Sequence, residues 1–292
     1  RLGEEWFVVV DGRRGKGYNL VWNPVFSPDG KRFAYAARDK NKMFIVTDDG
    51  EGQRYDSAGE PFFSPDGSHI AYRAEREARW FVVINGREGK RYDYVRTPPV
   101  FSPNGKRVAY GVEDGGKGFM VTAEVLSSNE AAESKETYDI VTSPVFSPDG
   151  KRLAYIGVRG KELSDRQVVV VDDREGKIYY EVTAPVFSPD SAQLVYPARR
   201  GKEWFVVVNE KEGPVYDMIV TPQFSPDGSR VVYRARKEGK RFVVIADRNG
   251  VTIKEHPHYE AVWQPVFTPD GKSIAYGVKD GQELWWKVEP VE

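Results

Sequence analysis

The stretch Pro144-Val-Phe-Ser-Pro-Asp-Gly-Lys-Arg-Leu-Ala-Tyr155 decides the fold, because close copies of it return six more times along the chain. Its Phe-Ser-Pro-Asp-Gly centre, Phe146 to Gly150, recurs at Phe26, Phe63, Phe101, Phe187, Phe224 and Phe267, with Asn104, Ser191 and Thr268 as the only changes in the last four positions. A fixed period of this kind overrides the two-domain expectation that a 292-residue length would otherwise set, and predicts a single array over residues 1–292.

Within each unit the residues describe four strands. Pro-Val-Phe ends the first. Ser-Pro-Asp-Gly then turns the chain: proline presets φ, Asp bonds back to nearby backbone, and Gly accepts positive φ. The second strand alternates, as in Lys31 to Ala37. The third is almost wholly apolar, as in Trp80 to Ile84 and Trp204 to Val208, which predicts cover on both faces. Asp11-Gly12, Asn85-Gly86 and similar pairs close tight hairpins. A short polar fourth strand carries Tyr18, Tyr55, Tyr92, Tyr138, Tyr179, Tyr216 or Tyr259, and reads as an outer edge.

Seven such units predict an all-β, seven-bladed β-propeller with four-stranded antiparallel blades and a ring closed by pairing of N- and C-terminal strands. The third-strand pattern occurs eight times, however. Trp6 to Val10 matches it better than Leu284 to Val288, where Lys287 interrupts, so the N-terminal pair is expected to complete the last blade and displace Leu284-Trp285-Trp286. The spare C-terminal strand would then offer a route to self-association.

The repeats, read as "PVFSPDGKRxAY" followed by "WFVVVDG", resemble the TolB-type, WD-repeat-like propellers of bacteria over essentially the whole chain. That resemblance implies a scaffold that binds a protein or peptide on its faces, without catalysis, in the periplasm or outside the cell. The alternative is the propeller of an enzyme: the gating domain of a prolyl-oligopeptidase-type peptidase, or a lyase-like propeller with a metal.

Composition narrows the partners. Forty-three basic and 44 acidic residues leave no field to draw in nucleic acid. There is no cysteine, and hence neither disulfide nor thiolate site. No apolar run is long enough to span a bilayer as a helix. The first residue is Arg1 rather than Met, as in a processed or trimmed product.

Catalytic motifs are absent: there is neither a Gly-x-Ser-x-Gly elbow nor a phosphate-binding Gly-x4-Gly-Lys-Ser/Thr. No cofactor is expected. His256, His258 and Glu260 would share one face of an extended strand as zinc or copper ligands, against a solvated insert marked by Pro257. A second candidate comes from positions where the units differ. Trp22 and Trp263, beside Asn23, Glu60 and Gln264, would meet at the channel mouth on ring closure and form a ligand pocket, unless they only pack the seam. Insertions at Ser127–Lys135, read as a short helical turn, and at Val251–Glu260 are further contact candidates.

Overall fold

In a computed structural model, residues 5–127, 131–160 and 166–291 are described, and they form strands and turns with no helix. They make eight sheets. A two-stranded hairpin, Val9–Val10 with Arg13–Arg14, comes first. Seven larger antiparallel sheets follow, each built in chain order as the repeat requires. The first sheet runs from Leu20 to Glu51, the second from Ser57 to Glu88, the third from Tyr94 to Glu133 and the fourth from Ile140 to Tyr179. The fifth spans Glu181 to Glu212, the sixth Met218 to Glu255 and the seventh Ala261 to Pro290. The chain divides into two compact units, Arg1–Pro144 and Val145–Glu292.

The motif turn is the same small device in each of the seven larger sheets. Ser147 is fully buried, and its Oγ donates to Asp149 Oδ1 at 2.6 Å while accepting from Arg152 N–H at 3.0 Å. Asp149 Oδ1 also accepts from Lys151 N–H at 3.1 Å, and Gly150 N–H donates to Ser147 O at 2.8 Å. Ser27, Ser64, Ser102, Ser188, Ser225 and Thr268 repeat the hydroxyl bond to the Asp or Asn two residues on. Successive turns also touch. Gly67 holds a φ of +72°, which favours glycine, and a Cβ there would sit 3.1 Å from Ser27 Cβ, a tight contact.

Third strands are covered on both faces in the second and sixth sheets, as their composition requires: Phe81, Val82 and Val83 are all buried, as are Phe242 to Ile245. The fourth-strand tyrosines depart from the edge reading, for they are among the most buried side chains in the protein. Each is tied back by a bridge to the third strand, as Trp80 to Tyr92 and Trp204 to Tyr216. The ring then projects onto the following sheet. Tyr92 meets Phe119 edge-on at 5.8 Å, and Tyr216 meets Phe242 in the same way at 5.8 Å. Their hydroxyls donate to a glutamate on the next fourth strand, Tyr92 to Glu133 at 3.2 Å and Tyr216 to Glu255 at 2.7 Å. Burial and this carboxylate push the phenol pKa values up, so the hydroxyls stay protonated and donate.

Sheet-to-sheet packing follows one rule. Ala36 and Ile45 of the first sheet meet Tyr72, Ala74 and Phe81 of the second; Val206 and Val208 of the fifth meet Val231, Tyr233 and Val244 of the sixth. The N-terminal hairpin obeys it too, laying Val8 and Tyr18 on Tyr35 and Phe44 of the first sheet.

The ends correct the expected closure. Glu283–Pro290 pairs with Ser273–Asp280 at eight consecutive positions and holds the third-strand place that Trp6 to Val10 was expected to take. Val9–Val10 pairs with Arg13–Arg14. Eight paired positions outweigh the poorer apolar pattern of the C-terminal segment. The seventh sheet therefore has three strand positions, with no fourth among the described residues, and Leu284, Trp286 and Val288 are 68%, 76% and 67% exposed. In the insertion of the third sheet, Ala131–Glu133 is a strand rather than the helical turn; residues 128–130 lie outside the described residues.

Candidate functional site

Trp22 and Trp263 occupy equivalent places, just after the first short strand of their sheets. Each donates its backbone N–H across to the second strand, Trp22 to Ala36 O and Trp263 to Gly277 O, both at 3.0 Å. The Trp263 ring lies over Gly277, where a Cβ would come within 3.3 Å of it. Both indoles stay partly in solvent, at 41% and 46% exposure. Asn23 and Glu60 are exposed, whereas Gln264 is half-buried and its Oε1 accepts from Thr221 Oγ1. Thr221 itself holds a positive φ of 48°, at an irregularity between Val220 and Gln223 in the strand pairing. Trp22, Asn23 and Glu60 belong to the unit Arg1–Pro144, and Trp263 and Gln264 to Val145–Glu292.

The histidines do not gather as metal ligands. The strand Thr252–Glu255 ends before Pro257, so alternate residues no longer share a face. His256 turns inward, 2% exposed, and meets Tyr276 of the seventh sheet edge-on at 5.6 Å. His258 instead stays exposed and stacks on Phe242 of the sixth sheet at 3.9 Å. Glu260 is exposed, and its backbone carbonyl accepts from Arg241 at 2.5 Å. Among the described residues no three His, Asp or Glu side chains converge on one point.

Burial, with Lys254 the next influence, holds the His256 pKa below its ordinary value, so the ring is neutral in the folded protein. Among the described residues neither of its ring nitrogens has a hydrogen-bond partner, nor does the Tyr276 hydroxyl.

The charged side chains near the motif turns are largely paired. Arg32 lies against Asp48 and Asp49, both at 3.4 Å, and Arg152 against Asp172 at 3.0 Å. The basic residues that follow the motif turns therefore have much of their charge answered locally. The larger hollows, of about 320, 530 and 590 Å³, recur in corresponding places between neighbouring third and fourth strands and follow from the shortness of the fourth strand. A smaller pocket lies in the sixth sheet. It is lined by Arg234, Arg236 and Arg241, residues that no sequence motif marks.

No protein-family model matches this chain, and no curated protein matches it in sequence. Solved structures do. A prolyl endopeptidase structure aligns with 92% of this chain at 16% identity and a TM-score of 0.46. TolB from Acinetobacter baumannii aligns with 78% at 17% identity and 0.40. A eukaryotic initiation factor aligns with 88% of this chain and 70% of its own at 12% identity and 0.53. The chain spans 50% of the prolyl endopeptidase and 65% of TolB. At such identities the likeness concerns fold alone.

Proposed function

We propose that this chain is a non-catalytic binding and assembly propeller of seven blades, presenting a face or channel mouth to a protein or peptide. In this reading each of the seven larger sheets is one blade. Placement in the periplasm or outside the cell rests on the resemblance of the repeats to TolB-type propellers.

The observation that carries the reading is the fate of the motif. In all seven copies the hydroxyl and the Asp or Asn side chain are engaged in their own turn, so they are not disposed as a nucleophile or acid–base pair. Exposed indoles at Trp22 and Trp263 are instead suited to contact. With Asn23, Glu60 and Gln264 they form the proposed ligand-binding group.

The test is to select peptides that bind the intact protein from a displayed library, then measure them against Trp22→Ala/Trp263→Ala. Loss of binding of at least tenfold with an unchanged melting temperature is expected. Equal binding by the double variant, or its collapse without any ligand ever protecting the indoles, leaves them as packing residues.

A further inference from the structure

Three guanidinium groups without an acid line one pocket of the sixth sheet. Arg236 stands directly across from Arg241 on adjacent strands, and Arg234 is two residues before Arg236. Like charges opposed in this way are unfavourable unless something answers them. Nothing among the described residues does: no carboxylate lies within ion-pair distance of any of the three, although most other partly buried arginines, such as Arg76 and Arg159, have one. Arg234 donates Nη1–H to Val262 O at 3.0 Å, but its Nε–H is buried with no partner.

Comparison of the repeats shows how the charge became unanswered. In the fifth sheet the register sets Glu181 opposite Arg199, and the pair bonds through two nitrogens at 2.9 and 2.6 Å. The corresponding pair in the sixth sheet is Met218 opposite Arg236: the arginine is kept and the acid is gone. A second exchange acts in the same direction. The residue that bridges to the fourth-strand tyrosine is Trp80 in the second sheet and Trp204 in the fifth, and arginines lie over both indoles, Arg73 at 5.8 Å and Arg199 at 5.6 Å. In the sixth sheet that residue is Arg241. A cation–π partner has been replaced by a third cation.

We propose that this pocket is an oxyanion subsite, which takes one carboxylate or phosphate group of a small ligand between Arg234, Arg236 and Arg241. The volume, about 50 Å³, suits a single such group and not a whole metabolite. Guanidinium forks offer paired N–H donors matched to two oxygens. Met218, Val220 and Val262 form the apolar wall, which weakens screening by water and strengthens each charge-assisted bond. Burial, and after it the neighbouring Arg241, disfavours the Arg234 cation, and a bound anion reverses that.

The experiment titrates the full chain with inorganic phosphate and, separately, with acetate, at an ionic strength held constant with sodium chloride, and follows melting temperature and heat of binding. A saturable response to phosphate alone assigns a phosphate group; one to acetate alone, or to both, assigns a carboxylate-accepting site. Met218→Glu restores the missing acid and is expected to weaken either anion at least tenfold while holding or raising the melting temperature. Should that variant fail to fold, the exposed Arg241→Gln gives the same readout, again with a tenfold loss. No saturable response beyond chloride, or full binding by these variants, overturns the subsite.

Discussion

Ser147 shows how a residue that looks reactive is committed to structure. Its hydroxyl is buried, donates a hydrogen bond to Asp149 and accepts one from Arg152 N–H, so it closes a turn that seven sheets share. Ser147→Ala leaves that N–H without a partner, and is expected to destabilise the protein by roughly 1–3 kcal/mol in denaturant unfolding. Asp149 in turn has its pKa lowered, chiefly by the Ser147 hydroxyl. This much was legible in the sequence, because Pro, Asp and Gly carry their backbone preferences with them in any context. The arginine pocket was not legible in the same way. Met218 and Arg241 are ordinary residues until the strand register shows that they stand where Glu181 and Trp204 stand one sheet earlier.

Between elements, the tyrosines and His256 carry the lesson. The polar neighbours of the fourth-strand tyrosines suggested an edge, yet the rings reach across to the next sheet, a contact that spacing within one repeat does not reveal. The His256–His258 alternation failed for a local reason, since Pro257 ends the strand geometry on which it depended. The buried imidazole has a consequence for acid stability. It faces Tyr276 from one strand, Lys287 and Glu289 from the next and Lys254 on its own, and its folded-state pKa is lowered. For a base so shifted, the unfolded chain binds the proton that the folded chain refuses. Stability is therefore complete above the unfolded value of about 6.5 and falls below it, by up to tenfold in the unfolding equilibrium per pH unit until the folded pKa is reached. His256→Phe, which keeps the edge-on ring contact, should remove the slope between roughly pH 6.5 and 5. The turn aspartates act in a lower window: Asp66, Asp190 and Asp227, held near 2 first by their serine hydroxyls, lose their contribution only as pH falls below about 4. A variant with the same slope as the wild type from neutral pH to 5 would remove His256 as its source.

For the whole chain, the repeat count was legible and the treatment of the two ends was not. Apolar quality favoured Trp6 to Val10 as the strand that completes the last sheet, because Lys287 breaks the C-terminal copy. Pairing decides otherwise: Glu283–Pro290 joins Ser273–Asp280 over its full length, and Trp285 and Val291 pack with Tyr259, Ile274 and Tyr276. Lys287 fits because its ammonium lies 5.6 Å from the centre of the Tyr259 ring. At the other end, Val8 and Val10 add to the packing on the first sheet, and Phe7 lies under Arg14 at 4.1 Å. The two truncations should therefore be unequal. Removing Gly281–Glu292 strips an entire strand and bares Tyr276 and Ile274, both fully buried, and should unfold the seventh sheet together with its packing on the sixth. Removing residues 1–11 exposes one face of the first sheet and gives up chiefly the burial of Val8, about 1.5–3 kcal/mol, so the protein should stay folded with a lower melting temperature. Amide hydrogen exchange of the two truncated chains reads the difference directly, with protection lost across Arg230–Lys237 and Ser273–Asp280 in the first and retained there in the second. The reverse pattern would show that the N-terminal hairpin, and not the C-terminal strand, secures the last sheet.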